Sequence, residues 1–103
     1  MRLTTEFNLI REWADNKGLL KSGDDKTQFV KLIEEAGELS NGILKNDKAE
    51  IKDAIGDIVV VLTSIAHLNG FTIEECINSA YDVIKNRTGK MIDGNFVKDE
   101  SSN

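Results

Sequence analysis

The chain has 103 residues, 40% hydrophobic and 30% charged, a single-domain length with a globular balance that excludes a disordered chain. Its longest uninterrupted apolar stretch, Ile58 to Leu62, is too short for a transmembrane helix. Thirteen basic residues against eighteen acidic leave a net charge of −5, the wrong sign for a duplex-binding protein, whose affinity comes largely from neutralising phosphates.

Neither nucleic acid nor a membrane is therefore expected as a partner. The start of the chain, Met1 to Glu6, has no apolar signal region, so secretion is not expected either. The single cysteine, Cys76, rules out an internal disulfide and a cysteine zinc site. A reducing cytoplasm suits such a chain. An acidic protein still binds a phosphorylated small molecule when a divalent cation lies between them.

Helical spacing dominates from the first residues. A helix is expected over residues 5–17, with Phe7, Ile10, Trp13 and Ala14 on one stripe and Gly18 as its stop. A short connection to Gly23 follows. Asp24 or Asp25 caps a second helix over 24–45. Asn46 and Asp47 make a turn, and Asp47 with Glu50 three residues on opens a third helix over 47–69. Asn69-Gly70 ends it. Thr72 followed by Glu75 caps a fourth helix over 72–87. In the tail, 88–103, Asp93-Gly94 between short apolar pairs signals a tight hairpin-like turn, and the polar residues 98–103 are expected to fray. One domain spanning 1–103 results, all-α and of the four-helix-bundle type. Ile58 to Leu62 also suits a buried strand, but the apolar spacing continues helically through Ile51, Ile55, Ile65 and Leu68. A helix apolar nearly all round needs burial on most sides. Self-association is the simplest way to supply it, so a homo-oligomer is expected.

On a helical wheel, Leu32, Ala36, Leu39 and Ile43 form the expected core stripe of the second helix, widened by Phe29, Ile33 and Leu44. Gln28, Lys31, Glu35 and Glu38 occupy its other border, with Glu34 slightly further out. Glu35 and Glu38 are adjacent at i, i+3. On the third helix Asp57 shares a line with Val61, Ser64 and Leu68, and Asp53 and Glu50 precede it at one-turn intervals. Carboxylates that enter an apolar stripe are costly unless neutralised. Protonation, a lysine or a divalent cation would make two facing acidic columns tolerable, and hard oxygen ligands favour magnesium or manganese. The plain reading competes: acidic residues near helix starts complement the dipole, and a Glu-Glu pair marks a solvated face.

Other candidates are weaker. His67 is ten residues beyond Asp57, about 15 Å along a helix, too far to join the same cluster. Cys76 is expected to be a small buried apolar residue. Trp13 is expected in the core rather than as a stacking surface. Lys85, Arg87, Lys90 and Lys98 either complement a helix C-terminus or hold phosphate oxygens. No Gly-rich phosphate loop is present, which excludes a P-loop enzyme.

The run Gln28-x-x-Lys31-Leu32-x-Glu34-Glu35-x-Gly37-Glu38-Leu39 resembles the Glu-Glu-x-x-Glu signature of the MazG-like, all-α nucleoside triphosphate pyrophosphohydrolases. Asp53-Ala54-Ile55-Gly56-Asp57-Ile58-Val59-Val60-Val61-Leu62 resembles the Gly-Asp helix that follows it, and the ending from Lys85 to Lys98 is similar to short members found in phages and prophages. The resemblance covers about residues 10–98. It implies a helical dimer or tetramer that hydrolyses a nucleoside triphosphate, deoxy or not, to the monophosphate and pyrophosphate with magnesium. By resemblance Glu35, Glu38 and Asp57 would be metal ligands, and Glu34 would orient the attacking water. The family pattern ends in Glu-x-x-Asp, and its Glu falls on Ala54; Asp53 is expected to substitute, with Glu50 a turn further back. Gln28 lies within the signature, and Asp82 stands where many relatives have Asn, so both join Trp13, Lys31, Tyr81, Lys85 and Arg87 as substrate-binding candidates. Two further readings compete with the enzyme: a non-catalytic helical interaction module, which Ala54 favours, and a nucleotide sensor that binds without hydrolysis.

Overall fold

The structure is a computed structural model that describes residues 4–100. Five helices precede a two-stranded ribbon: α1 (Thr4–Asn16), α2 (Leu19–Ser22), α3 (Asp25–Lys45), α4 (Lys48–Leu68), α5 (Ile73–Ile84), β1 (Gly89–Ile92) and β2 (Asn95–Lys98). The chain divides between Ile73 and Glu74 into two compact units. The first carries α1 to α4; the second carries nearly all of α5 and the ribbon. The fold is mostly helical, as expected, with two additions. The connection after Gly18 contains the one-turn helix α2, and the tail forms a true hairpin. No single helix among the described residues is long and apolar enough to cross a membrane.

Local chemistry sets the boundaries. Gly18 takes a left-handed conformation with φ 81° and separates α1 from α2, a region open to glycine at no steric cost. Asp24 caps α3: its Oδ1 accepts from Thr27 N at 2.9 Å and its Oδ2 from Thr27 Oγ1 at 2.9 Å. Those bonds favour the carboxylate and hold Asp24 below the usual carboxylate range. Asn46 closes α3 with φ 55°. Asp47 opens α4 by accepting from Glu50 N at 3.2 Å. In the ribbon, β1 and β2 pair antiparallel from Gly89↔Lys98 to Ile92↔Asn95. Asp93 and Gly94 both have positive φ, as a two-residue hairpin of the primed type requires. Ile58 to Leu62 lie inside α4, so the strand alternative does not apply. Of the tail residues expected to fray, Lys98 is paired in β2 and 101–103 lie outside the described residues.

The first unit is built on the antiparallel pair α3 and α4, with α1 and α2 packed on α4. Gly42 marks the close approach: a Cβ there would stand 3.1 Å from Ile51 N and 3.4 Å from the Glu50 Cβ. The buried positions on α4 are Ala54, Val61, Thr63, Ser64 and Ala66, joined by Phe7 and Ala14 of α1.

The expected core stripe of α3 is corrected here. Ala36 and Ile43 are exposed, as are Phe29, Ile33 and Leu44, while Glu35 and Gly42 are buried and Leu32 and Leu39 half-buried. The helix turns its Gln28, Glu35, Leu39 and Gly42 side toward α4 and its apolar stripe outward. Amphipathic spacing reports which face the sequence keeps apolar, not which element covers it. Cys76 is likewise exposed rather than buried.

Candidate functional site

Glu35, Glu38 and Asp57 come together where α3 and α4 face each other. Each offers a carboxylate oxygen, and the three oxygens lie within 4.8 Å of one another. The i, i+3 spacing puts Glu35 and Glu38 on one side of α3, and the α3 rotation that exposes the apolar stripe aims that side at Asp57. Glu35 is buried at 5% exposure, Asp57 half-buried and Glu38 exposed.

One cation stands beside this cluster. Lys31 Nζ is 3.4 Å from Glu35 Oε1 and 3.9 Å from Glu34 Oε2. The other Glu35 oxygen, Oε2, is buried and has no hydrogen-bond partner among the described residues. The electrostatics follow. Lys31 is held above its usual range, first by Glu35 and then by Glu34. Glu38 is pushed up because its carboxyl faces Glu35, with which a protonated form would share a hydrogen bond. Asp57 is pushed up by desolvation first, then by the charges of Asp53 and Glu35. One lysine against three carboxylates leaves the group short of positive charge. Three hard oxygen donors with an orphaned buried oxygen among them suit a divalent cation such as magnesium or manganese.

Asp53 stands one turn before Asp57, exposed, and outside this trio. Its charge still reaches Asp57. Glu50 is half-buried at the start of α4, near Gly42. Glu34 is 62% exposed at its side chain and lines a cleft of about 500 Å3 that opens beside the acidic group. Lys31, Glu35 and Asp57 line the same cleft. So do Gln28, Trp13 and Val60, followed by Val61 and Ser64 deeper on α4. Trp13 is thus a half-exposed wall rather than a core residue. Its ring also borders a second cleft of about 320 Å3 with Leu9, Ile10, Asp57 and Val60.

The remaining candidates belong to the second unit. Tyr81 and Asp82 lie on α5; Lys85 and Arg87 follow it. Lys85 Nζ is 3.2 Å from Asp82 Oδ1, so two proposed substrate contacts are here partners of each other. His67 is exposed near the end of α4, consistent with its exclusion from the cluster. The sequence reading missed Leu19 and Ser64 as cleft residues. Leu19 carried no signal, since it fell in an expected loop. Ser64 did carry one, because it shares a helical line with Asp57 and Val61.

Residues 24–92 match the MazG nucleotide pyrophosphohydrolase domain. A stretch of 60 residues is 43% identical to an uncharacterized 18.2 kDa protein from the rep-hol intergenic region of Haemophilus phage HP1 (strain HP1c1). That alignment covers 58% of this chain and 37% of the phage protein, so the match spans little more than a third of that protein's length. No solved structure matches the chain.

Proposed function

The chain belongs to the MazG nucleotide pyrophosphohydrolase family, and from that premise we propose that it hydrolyses nucleoside triphosphates, deoxy forms included, to the monophosphate and pyrophosphate. The observation that carries this reading is the meeting of Glu35, Glu38 and Asp57 oxygens within 4.8 Å, two of the three residues, Glu35 and Asp57, lining a cleft of about 500 Å3. The matched segment runs across the division between the two units, which supports treating the chain as one functional domain. The single cysteine fits a cytoplasmic setting.

Glu35, Glu38 and Asp57 would hold magnesium, for which manganese is a chemical substitute, and Asp53 is the nearest further carboxylate. When bound, the ion polarises phosphate oxygens and lowers the pKa of coordinated water. Glu34, on the cleft wall and mostly solvated, would accept a proton from water as general base. Lys31 would trade part of its contact with Glu35 for a phosphate oxygen. Trp13 gives a nucleobase an aromatic wall. Tyr81, Asp82, Lys85 and Arg87 are assigned to the substrate by resemblance alone.

A homo-oligomer, dimer or tetramer, is the form proposed for solution. The outward stripe of α3 supports it: Phe29, Ile33, Ile43 and Leu44 are 56 to 82% exposed. A contiguous apolar face of that kind is unusual on a monomer.

The test is pyrophosphate release from a panel of nucleoside and deoxynucleoside triphosphates. Turnover that EDTA abolishes, and that Glu38→Gln abolishes while the variant keeps its helical circular dichroism, supports the reading. A second reading, binding without hydrolysis or a purely structural module, is favoured by Ala54, which stands where the family pattern has a carboxylate. Calorimetric nucleotide binding without product would select the sensor. Neither binding nor turnover would leave the structural module.

A further inference from the structure

Thr63 and Ser64 are neighbours on α4, each 1% exposed, yet their hydroxyls fare differently. Thr63 Oγ1 donates to Val59 O at 2.7 Å, the usual resolution for a hydroxyl inside a helix. Ser64 Oγ is buried with no hydrogen-bond partner among the described residues. Ser64 is also a lining residue of the cleft that begins at Glu35 and Asp57. Buried polar groups are nearly always paired, so an orphan on the wall of a ligand-sized cleft points to a ligand.

Its position narrows the ligand. Ser64 lies seven residues beyond Asp57 on α4, roughly 10 Å along the axis. Gly42 approaches Glu50 and Ile51 across the antiparallel pair, and that register carries Glu35 to the level of Asp57 and Gln28 to the level of Ser64. The stretch between is walled by Val60, Val61 and Trp13. A phosphate group at the carboxylates therefore leaves the nucleoside to run along this apolar stretch, with Ser64 and the half-buried Gln28 at its far end.

We propose that Ser64 is a specificity-determining residue whose hydroxyl exchanges a hydrogen bond with the polar edge of the nucleobase. This rests on the pyrophosphohydrolase reading of the acidic end. A hydroxyl both donates and accepts, so it supports one base edge over another through the group opposite it, and Gln28 supplies the second polar contact. A site built to pair a substrate group discriminates against substrates that leave its own polar atom unpaired.

The experiment compares wild type with Ser64→Ala on the triphosphates of the four bases in both deoxyribose and ribose forms, reading kcat and KM separately, with melting temperature as a structural check. The substitution is expected to lower kcat/KM for the preferred base by about tenfold, the worth of one hydrogen bond. The loss falls mainly in KM, the other three bases change little, and the melting temperature does not fall because an unpaired hydroxyl contributes nothing to the fold. An equal change for all four bases, or an unchanged ranking, overturns the proposal. So does a shift in the ribose-to-deoxyribose ratio with the base ranking intact, since Ser64 would then read the sugar. If the wild type releases no pyrophosphate from any nucleotide, the pyrophosphohydrolase reading fails by itself. Titration with the four non-hydrolysable α,β-imido triphosphates then decides the matter for Ser64: base-selective binding flattened by Ser64→Ala supports it, and unselective or absent binding overturns it.

Discussion

Lys31 Nζ sits 3.4 Å from Glu35 Oε1, one turn along the same face of α3, and the second oxygen of that buried carboxylate has no hydrogen-bond partner among the described residues. The lysine therefore half-neutralises a group that the fold has already desolvated. A metal ion held here would act on the same excess of negative charge as Lys31, and each would lower the need for the other.

Lys31→Met keeps the aliphatic stem and removes the charge. Because the ammonium is half exposed, solvent screens much of the pair, and the loss in metal-free protein is expected to be modest. The melting temperature of the metal-free variant is expected to fall below that of the wild type. Magnesium is expected to raise the melting point of the variant by more than that of the wild type, because the ion then supplies the positive charge that Lys31 no longer brings to Glu35. Calorimetric scans with and without magnesium check this; equal magnesium shifts in both proteins would refute the shared role.

Proton binding acts on the same cluster. Glu38 lies above its ordinary 4.5 because of Glu35, and Asp57 above its ordinary 3.8 because of desolvation, then Asp53 and Glu35. The folded chain therefore holds these protons to higher pH than the unfolded chain does. Their contribution to stability is fully present below the ordinary values and is lost as pH rises through the raised ones. In metal-free protein, Glu38→Gln is accordingly expected to gain stability over wild type between pH 4 and pH 7, since glutamine carries no charge for Glu35 to repel. Urea unfolding of both proteins across that range measures the difference. A gap that stays constant with pH would show that Glu38 does not feel its neighbours.

Much of this was legible from spacing alone. The i, i+3 pair Glu35 and Glu38 and the approach of Asp57 follow from helical period and a short antiparallel connection, and the caps at Asp24 and Asp47 follow from side-chain chemistry. The rotation of α3 was not legible, because Phe29, Ile33 and Ile43 form so clear an apolar stripe that they read as the core. The stripe and the acidic face are on opposite sides of one helix. A single chain has only one α4 to offer, and it takes the acidic side with Gly42 at the point of closest approach. The role of Leu19 was hidden for a different reason: a one-turn helix such as α2 has too few residues to show a period.

That rotation makes the strongest demand on the rest of the molecule. Ile33 is 56% exposed at the middle of the outward stripe, with Phe29 one turn before it and Leu44, 82% exposed, three turns after. A face of this length loses hydrophobic stabilisation unless another surface covers it, at about 25 cal/mol for each Å2 left in water. A second copy presents the same stripe, so a two-fold contact is self-complementary by construction. Light scattering on wild type is expected to give a multiple of 11.4 kDa. Ile33→Asp places a carboxylate on each side of such a contact and is expected to shift the mass to 11.4 kDa, with helical circular dichroism retained because Ile33 faces away from α4. A wild-type chain that runs as a monomer at all concentrations, or an Ile33→Asp variant that assembles normally, would move the burial of this stripe to some other surface.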